Sequence, residues 1–141
     1  MIQFRDKIFG LELAELVVLR RDGRVTWGLY IKAKPTDVSG AKAPQFSIYG
    51  MQLLEAEITS LTGKSFEVPK GESEDQGQPT ALIYVWDWSA ANDNLITLAA
   101  ISTDKASVSW TGSCDDPEFY DSRASVGSFN IQCECAIRYE Q

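Results

Sequence analysis

Apolar and polar residues alternate with a period of two along much of the chain. Val25, Trp27, Leu29, Ile31 and Ala33 fall on one side, and Thr26, Gly28, Tyr30, Lys32 and Lys34 on the other. This alternation predicts a strand with one buried face and a basic outer edge. Ala106, Val108 and Trp110 alternate with Ser107, Ser109 and Thr111 in the same way. So do Phe129, Ile131, Cys133, Cys135, Ile137 and Tyr139 with Asn130, Gln132, Glu134, Ala136 and Arg138. Between Ala81 and Trp88 both sides are apolar until Asp87, with Leu82, Tyr84, Trp86 and Trp88 on one side and Ala81, Ile83 and Val85 on the other. A run so rich in aromatic and β-branched residues predicts a strand covered on both faces, around which the rest of the chain is organised.

The connections support strands. Asp22-Gly23 between two apolar runs is a strong hairpin signal, so Leu11–Leu19, whose composition also suits a helix, is assigned as a strand, with a bulge where alternation breaks at Ala14–Glu15. Ser89–Asn94 has turn chemistry, because Asn and Asp bond back to nearby amides. Leu95–Ser102 is a further apolar run, and Thr103-Asp104-Lys105 a tight connection. The stretch from Ala81 to Thr111 therefore predicts three consecutive antiparallel strands. Lys34–Gln45, with two prolines and a glycine, predicts a long loop. Phe46–Leu61 fits either a strand with a bulge at Gly50 or a helix; the strand is preferred. Phe66 and Val68 predict a short strand after a turn at Thr62-Gly63-Lys64. Pro69–Pro79 has no large apolar residue and predicts a mobile surface loop. Another loop follows Thr111. The expected fold is mostly β: one domain over residues 1–141, an antiparallel β-sandwich or barrel of roughly seven to nine strands with at most one short helix.

Composition narrows the class. A chain of 141 residues can bury a substantial core without disulfides, and three cysteines, an odd number, argue against a disulfide framework. There is no apolar run of membrane-spanning length and no signal-peptide pattern at the start, so a cytoplasmic protein is expected. Charge is uneven. Residues 1–70 carry ten Lys/Arg and eight Asp/Glu, whereas residues 71–141 carry three and twelve; the halves stand at +2 and −9 and make up the overall −7. An acidic surface repels nucleic acid and membranes and steers basic partners, although acidity also serves solubility alone.

Histidine is absent. That removes the commonest general base at neutral pH and the commonest metal ligand, and with them Ser-His-Asp and Cys-His catalysis within this chain. Cys133 and Cys135, with Cys114 as a third thiol, lack the fourth ligand of a closed zinc site; they share a face with Phe129, Ile131 and Ile137 and are expected to be core residues. No metal and no cofactor is expected. Asp115, Asp116, Glu118 and Asp121 crowd one loop but lack the calcium-loop spacing. Phe119 and Tyr120 lie inside this acidic run, and aromatics ringed by charge are what a binding hot spot contains. Tyr84 and Trp86 are expected to pack in the core, with Trp88 exposed at the strand end. Arg20, Arg21 and Arg24 are too few to indicate a phosphate site.

These features point to a non-enzymatic interaction protein that holds a basic protein partner. Asp115, Asp116, Glu118, Phe119, Tyr120, Asp121 and Trp88 are the expected contacts. In charge, size and compartment the chain is analogous to bacterial immunity proteins, which neutralise a toxin. The alternatives are a carbohydrate-binding β-sandwich that uses Trp88, and a structural subunit of a phage or secretion assembly.

Overall fold

The computed structural model describes residues 1–35, 43–54, 57–73, 77–85, 88–114 and 127–141. They form eleven strands: β1 (Ile2–Phe4), β2 (Lys7–Phe9), β3 (Leu11–Arg21), β4 (Arg24–Ala33), β5 (Gln45–Gln52), β6 (Lys64–Val68), β7 (Thr80–Tyr84), β8 (Trp88–Ala90), β9 (Asn92–Ile101), β10 (Lys105–Cys114) and β11 (Gly127–Glu140). The helical content among them is one 3-10 turn, Ile58–Leu61. The mostly β expectation holds, with more strands than expected. Among the described residues no helix is long and apolar enough to cross a membrane.

All eleven strands belong to one sheet: nine run in the order β6-β9-β10-β11-β3-β4-β5-β7-β8, and off this path β1 pairs with β11 and β2 with β1. It is a curled half-barrel rather than two stacked sheets. The pairs are antiparallel except β11 with β3. One edge of β11 is shared: β1 pairs with it at Phe129–Ile131, and β3 at Ala136–Glu140.

The curl follows from where the large side chains meet. Phe46 of β5 packs on Phe129 of β11 with ring centroids 5.0 Å apart, and on Trp110 of β10 at 6.1 Å. Phe4 of β1 joins them at 6.1 Å. These strands are far apart in sheet order, so their rings touch only because the sheet wraps around them. Trp27 of β4 and Phe66 of β6 meet similarly, at 5.1 Å. Apolar positions of period two thus line a single interior cluster.

The two ends of the sheet are tied together. β8 and β9 are separated only by Ala91, so one extended segment pairs with β7 at its start and with β6 and β10 beyond. The chain just after β6 closes the seam: Asp93 N–H donates to Pro69 O (2.8 Å), Ala81 N–H to Gly71 O (2.9 Å), and Ala91 N–H to Ala81 O (2.9 Å). Gly71 is buried, and a Cβ there would collide with the carbonyl oxygens of Ala81 and Ala91.

Several expectations are corrected. The Ala81–Trp88 run is not one doubly covered strand. It is interrupted after Tyr84, and Trp88 returns antiparallel as the cross-strand partner of Tyr84. Only the Ala81, Ile83 and Val85 side is buried; Leu82 and Tyr84 lie half-buried on the outer face. Nor is β7 a neighbour of β9 in the expected meander. Ser89–Asn94 is not a turn but the end of β8 and the start of β9. Its turn-forming residues serve a bulge instead: Asp93 has φ 51°, and the β9–β10 register shifts between Thr111 and Ser113.

The bulge expected at Ala14–Glu15 lies earlier, between Leu11 and Leu13, after which Ala14, Leu16 and Val18 point inward without a break. The ambiguous Phe46–Leu61 segment divides: a strand to Gln52, then the 3-10 turn. Gly50, at φ +84°, forms the expected bulge opposite Gly28. The β3–β4 hairpin has the expected turn, with Asp22 and Gly23 both at positive φ. Pro69–Gly71, expected in a mobile loop, is the seam just described. β10 continues to Cys114, three residues beyond the expected loop start.

Candidate functional site

Of the expected contact residues, Asp115, Asp116, Glu118, Phe119, Tyr120 and Asp121 lie outside the described residues, as does Trp86. Trp88 is described and 52 % exposed, as expected. Its ring packs on Tyr84, with centroids 4.9 Å apart and planes tilted by 46°.

Register places Trp88 in a row across the outer face. Lys32 pairs with Gln45, Gln45 with Tyr84, and Tyr84 with Trp88. Cross-strand neighbours at this spacing touch side by side. The neighbouring row adds Tyr30, whose hydroxyl donates to Gln45 Oε1 at 3.0 Å. Lys32 is ion-paired with Glu12 at 3.2 Å. An amide, a hydroxyl and two packed, tilted rings therefore share one accessible surface. Sequence reading found Trp88 and Tyr84 but placed them on one strand; Gln45 and Tyr30 join them only through cross-strand register.

Strand direction places Trp88 at the same end of the sheet as Cys114 and Gly127, the strand ends that flank the acidic segment. Cys114 and Gly127, which flank residues 115–126, are themselves a cross-strand pair. Asn92 pairs with Ser113 just before that segment. Trp88 precedes Asn92 by four residues, which span at most about 14 Å. Asp93, also at this end, accepts a hydrogen bond from the Ser113 hydroxyl at 3.2 Å.

Two concavities lie elsewhere. A groove of about 410 Å³ runs over the outer face of β3, β4 and β5, lined by Val17, Leu19, Tyr30, Tyr49 and Glu140 among others. Its floor is Gly28, where a Cβ would collide with the Ile48 carbonyl oxygen at the β5 bulge. A glycine breaking the Thr26–Tyr30 alternation is the sequence signal for it. At the opposite end of the sheet, a cleft of about 390 Å³ includes Val18, Arg20, Glu57, Thr59, Thr103 and Tyr139.

None of the three cysteines forms a disulfide. Cys114 and Cys135 are buried, as expected, but Cys133 is only half-buried. A hydrogen bond from Cys135, 3.8 Å away, holds the Cys133 thiol below its ordinary range, with burial opposing. The same bond, together with burial, pushes Cys135 far above that range. Among the described residues no group of three or more metal-ligating side chains is gathered. Comparison with protein-family models, with curated proteins and with solved structures gives no significant match.

Proposed function

We propose that the protein is a non-enzymatic binding protein that captures a basic protein partner, in the manner of an immunity protein that neutralises a bacterial toxin. The observation that carries this reading is the shared position of Trp88 and the strand ends flanking residues 115–126. An exposed aromatic anchor stands at the end of the sheet where the chain leaves β10 and enters β11, and the sequence between those strands is dense in carboxylates. Aromatic anchors supply most of the affinity at interfaces, while a surrounding charge of one sign speeds encounter with the opposite sign. The −9 charge of residues 71–141 and the absence of histidine favour gripping over turnover. A reducing cytoplasmic setting fits cysteines that form no disulfide.

The test is capture of the partner, identified by affinity isolation or from the neighbouring gene, by the chain and by its D115N/D116N/E118Q variant. Association should slow by about tenfold in the variant, with dissociation less affected, and should slow with added salt in the parent. Capture that is unchanged in the variant rejects this segment as the site.

A second reading, carbohydrate binding, rests on the row Lys32, Gln45, Tyr84 and Trp88. An exposed aromatic ring beside an amide and an ammonium group suits a sugar's apolar face and hydroxyls. A glycan that quenches tryptophan emission in the parent but not in W88A favours this reading.

A further inference from the structure

Residues two apart on a strand share a face, and a rise of about 3.4 Å per residue sets their Cα atoms about 6.8 Å apart. Cys133 and Cys135 occupy such positions on the inner face of β11, yet their sulfurs converge to 3.8 Å. That convergence does not lead to a disulfide. A disulfide needs Cβ atoms about 3.5–4.5 Å apart, and same-face Cβ atoms on a regular strand stand nearly as far apart as the Cα atoms. The strand would have to break. A bridging metal ion has no such requirement: two thiolates on one ion need only lie within two metal–sulfur bonds of each other, up to about 4.6 Å at about 2.3 Å per bond.

The pair lies beside a break in the strand pairing of β11. β1 covers the edge of β11 as far as Ile131, with one further bond from Gln132 N–H to Met1 O, and β3 resumes at Ala136. Cys133 and Cys135 lie beside the interval between the two, where among the described residues no strand pairs that edge. Cys133 is half-buried and Cys135 buried behind it, so an entering ion meets one sulfur and then the other. Cys114 stands with Gly127, six residues up the strand and about 20 Å away, and does not belong to the pair.

We propose that Cys133 and Cys135 form a two-sulfur site for a soft monovalent cation of the copper(I) class. Ligand number decides the class. A structural zinc site takes four ligands, and the chain has no histidine. Soft thiolates select copper(I), a closed-shell ion satisfied by two or three such ligands. On binding, two S–H bonds break and two metal–sulfur bonds form. Two protons leave to solvent and no electron is transferred.

The experiment is anaerobic titration of the reduced chain with copper(I) held on a competing chelator. C133S, C135A and C114S are titrated in parallel, each checked for strand content by circular dichroism. The parent should take one equivalent and develop thiolate-to-copper absorption in the near ultraviolet. C133S, altered at a half-buried position, should lose affinity by more than about 100-fold, beyond the usual cost of losing an outer-shell group. C135A should do the same, and C114S should match the parent. X-ray absorption of the loaded parent should show two sulfur neighbours and gives a readout that needs no variant. Copper that stays on the chelator overturns the proposal, as do equal binding by C133S and parent or loss of binding in C114S. Zinc retained at one equivalent under the same competition overturns the two-ligand assignment. A Cys133–Cys135 disulfide formed by diamide in the folded chain overturns the geometric argument.

Discussion

Asn94 is the only buried polar or charged residue in the described core, at 2 % exposure. Its amide nitrogen donates to Val68 O (2.9 Å) and Ala91 O (2.7 Å), and its oxygen accepts from Trp110 Nε1 at 2.8 Å. The side chain therefore ties β6, the β8–β9 junction and β10 at one point. Truncation would strand three buried polar groups, each costing about 1–3 kcal/mol. N94A should lose about 3 kcal/mol or more in urea unfolding, with Trp110 emission altered in the folded state. Cys133 gives a second prediction at this scale. It is the most accessible of the three thiols, and its lowered pKa raises the thiolate fraction. Sub-stoichiometric iodoacetamide should modify Cys133 first, and at lower pH than a free thiol, while Cys114 and Cys135 react only on unfolding. Peptide mass mapping checks the order.

Among the elements, the β3–β4 hairpin was the most legible. Asp22-Gly23 predicted the turn, and both residues adopt the required positive φ. The alternations in β4, β10 and β11 likewise predicted which side chains point inward, except at Tyr139, expected on the inner face of β11 but 60 % exposed near the strand end. What the sequence did not disclose came from residues whose local chemistry serves a distant partner. Asn92, Asp93 and Asn94 look like a turn because their amides and carboxylate seek backbone partners. In the fold their partners are the backbones of Gly71, Val68 and Ala91 and the hydroxyl of Ser113, brought close by the curl. Gly71 looks like loop flexibility and is instead a close-contact position. Of the candidate site, exposure of Trp88 was legible, but its stack with Tyr84 depends on a chain reversal that an unbroken apolar run conceals. Two substitutions test these elements. G71A should cost about 2 kcal/mol or more, since the added Cβ meets backbone rather than a yielding side chain. R21E should gain a few tenths of a kcal/mol at low salt, because Arg21 stands directly opposite Arg24. That gain should vanish at high salt.

Over the whole molecule, charge and shape divide the labour. The sheet curls around Phe4, Phe46, Trp110 and Phe129, and this interior needs no disulfide. The proposed recognition end sits where β10 and β11 begin their pairing and Trp88 emerges. At the opposite end lie Arg20, Arg21 and Arg24. A molecule so polarised should orient in the field of a basic partner before contact, which is why the predicted effect of neutralising Asp115, Asp116 and Glu118 is on the association rate.

The shared edge of β11 governs the order of folding. β11 joins β10 on one side and both β1 and β3 on the other, so the first strands of the sequence wait for the last. During synthesis, β1 and β3 leave the ribosome long before the strand that completes their pairing. A nascent chain halted before residue 127 would hold the β3–β4 hairpin and the β9–β10 pair without the strand that joins them. Refolding should accordingly fall at the slow end of the range for small proteins, as sequence-distant pairings do.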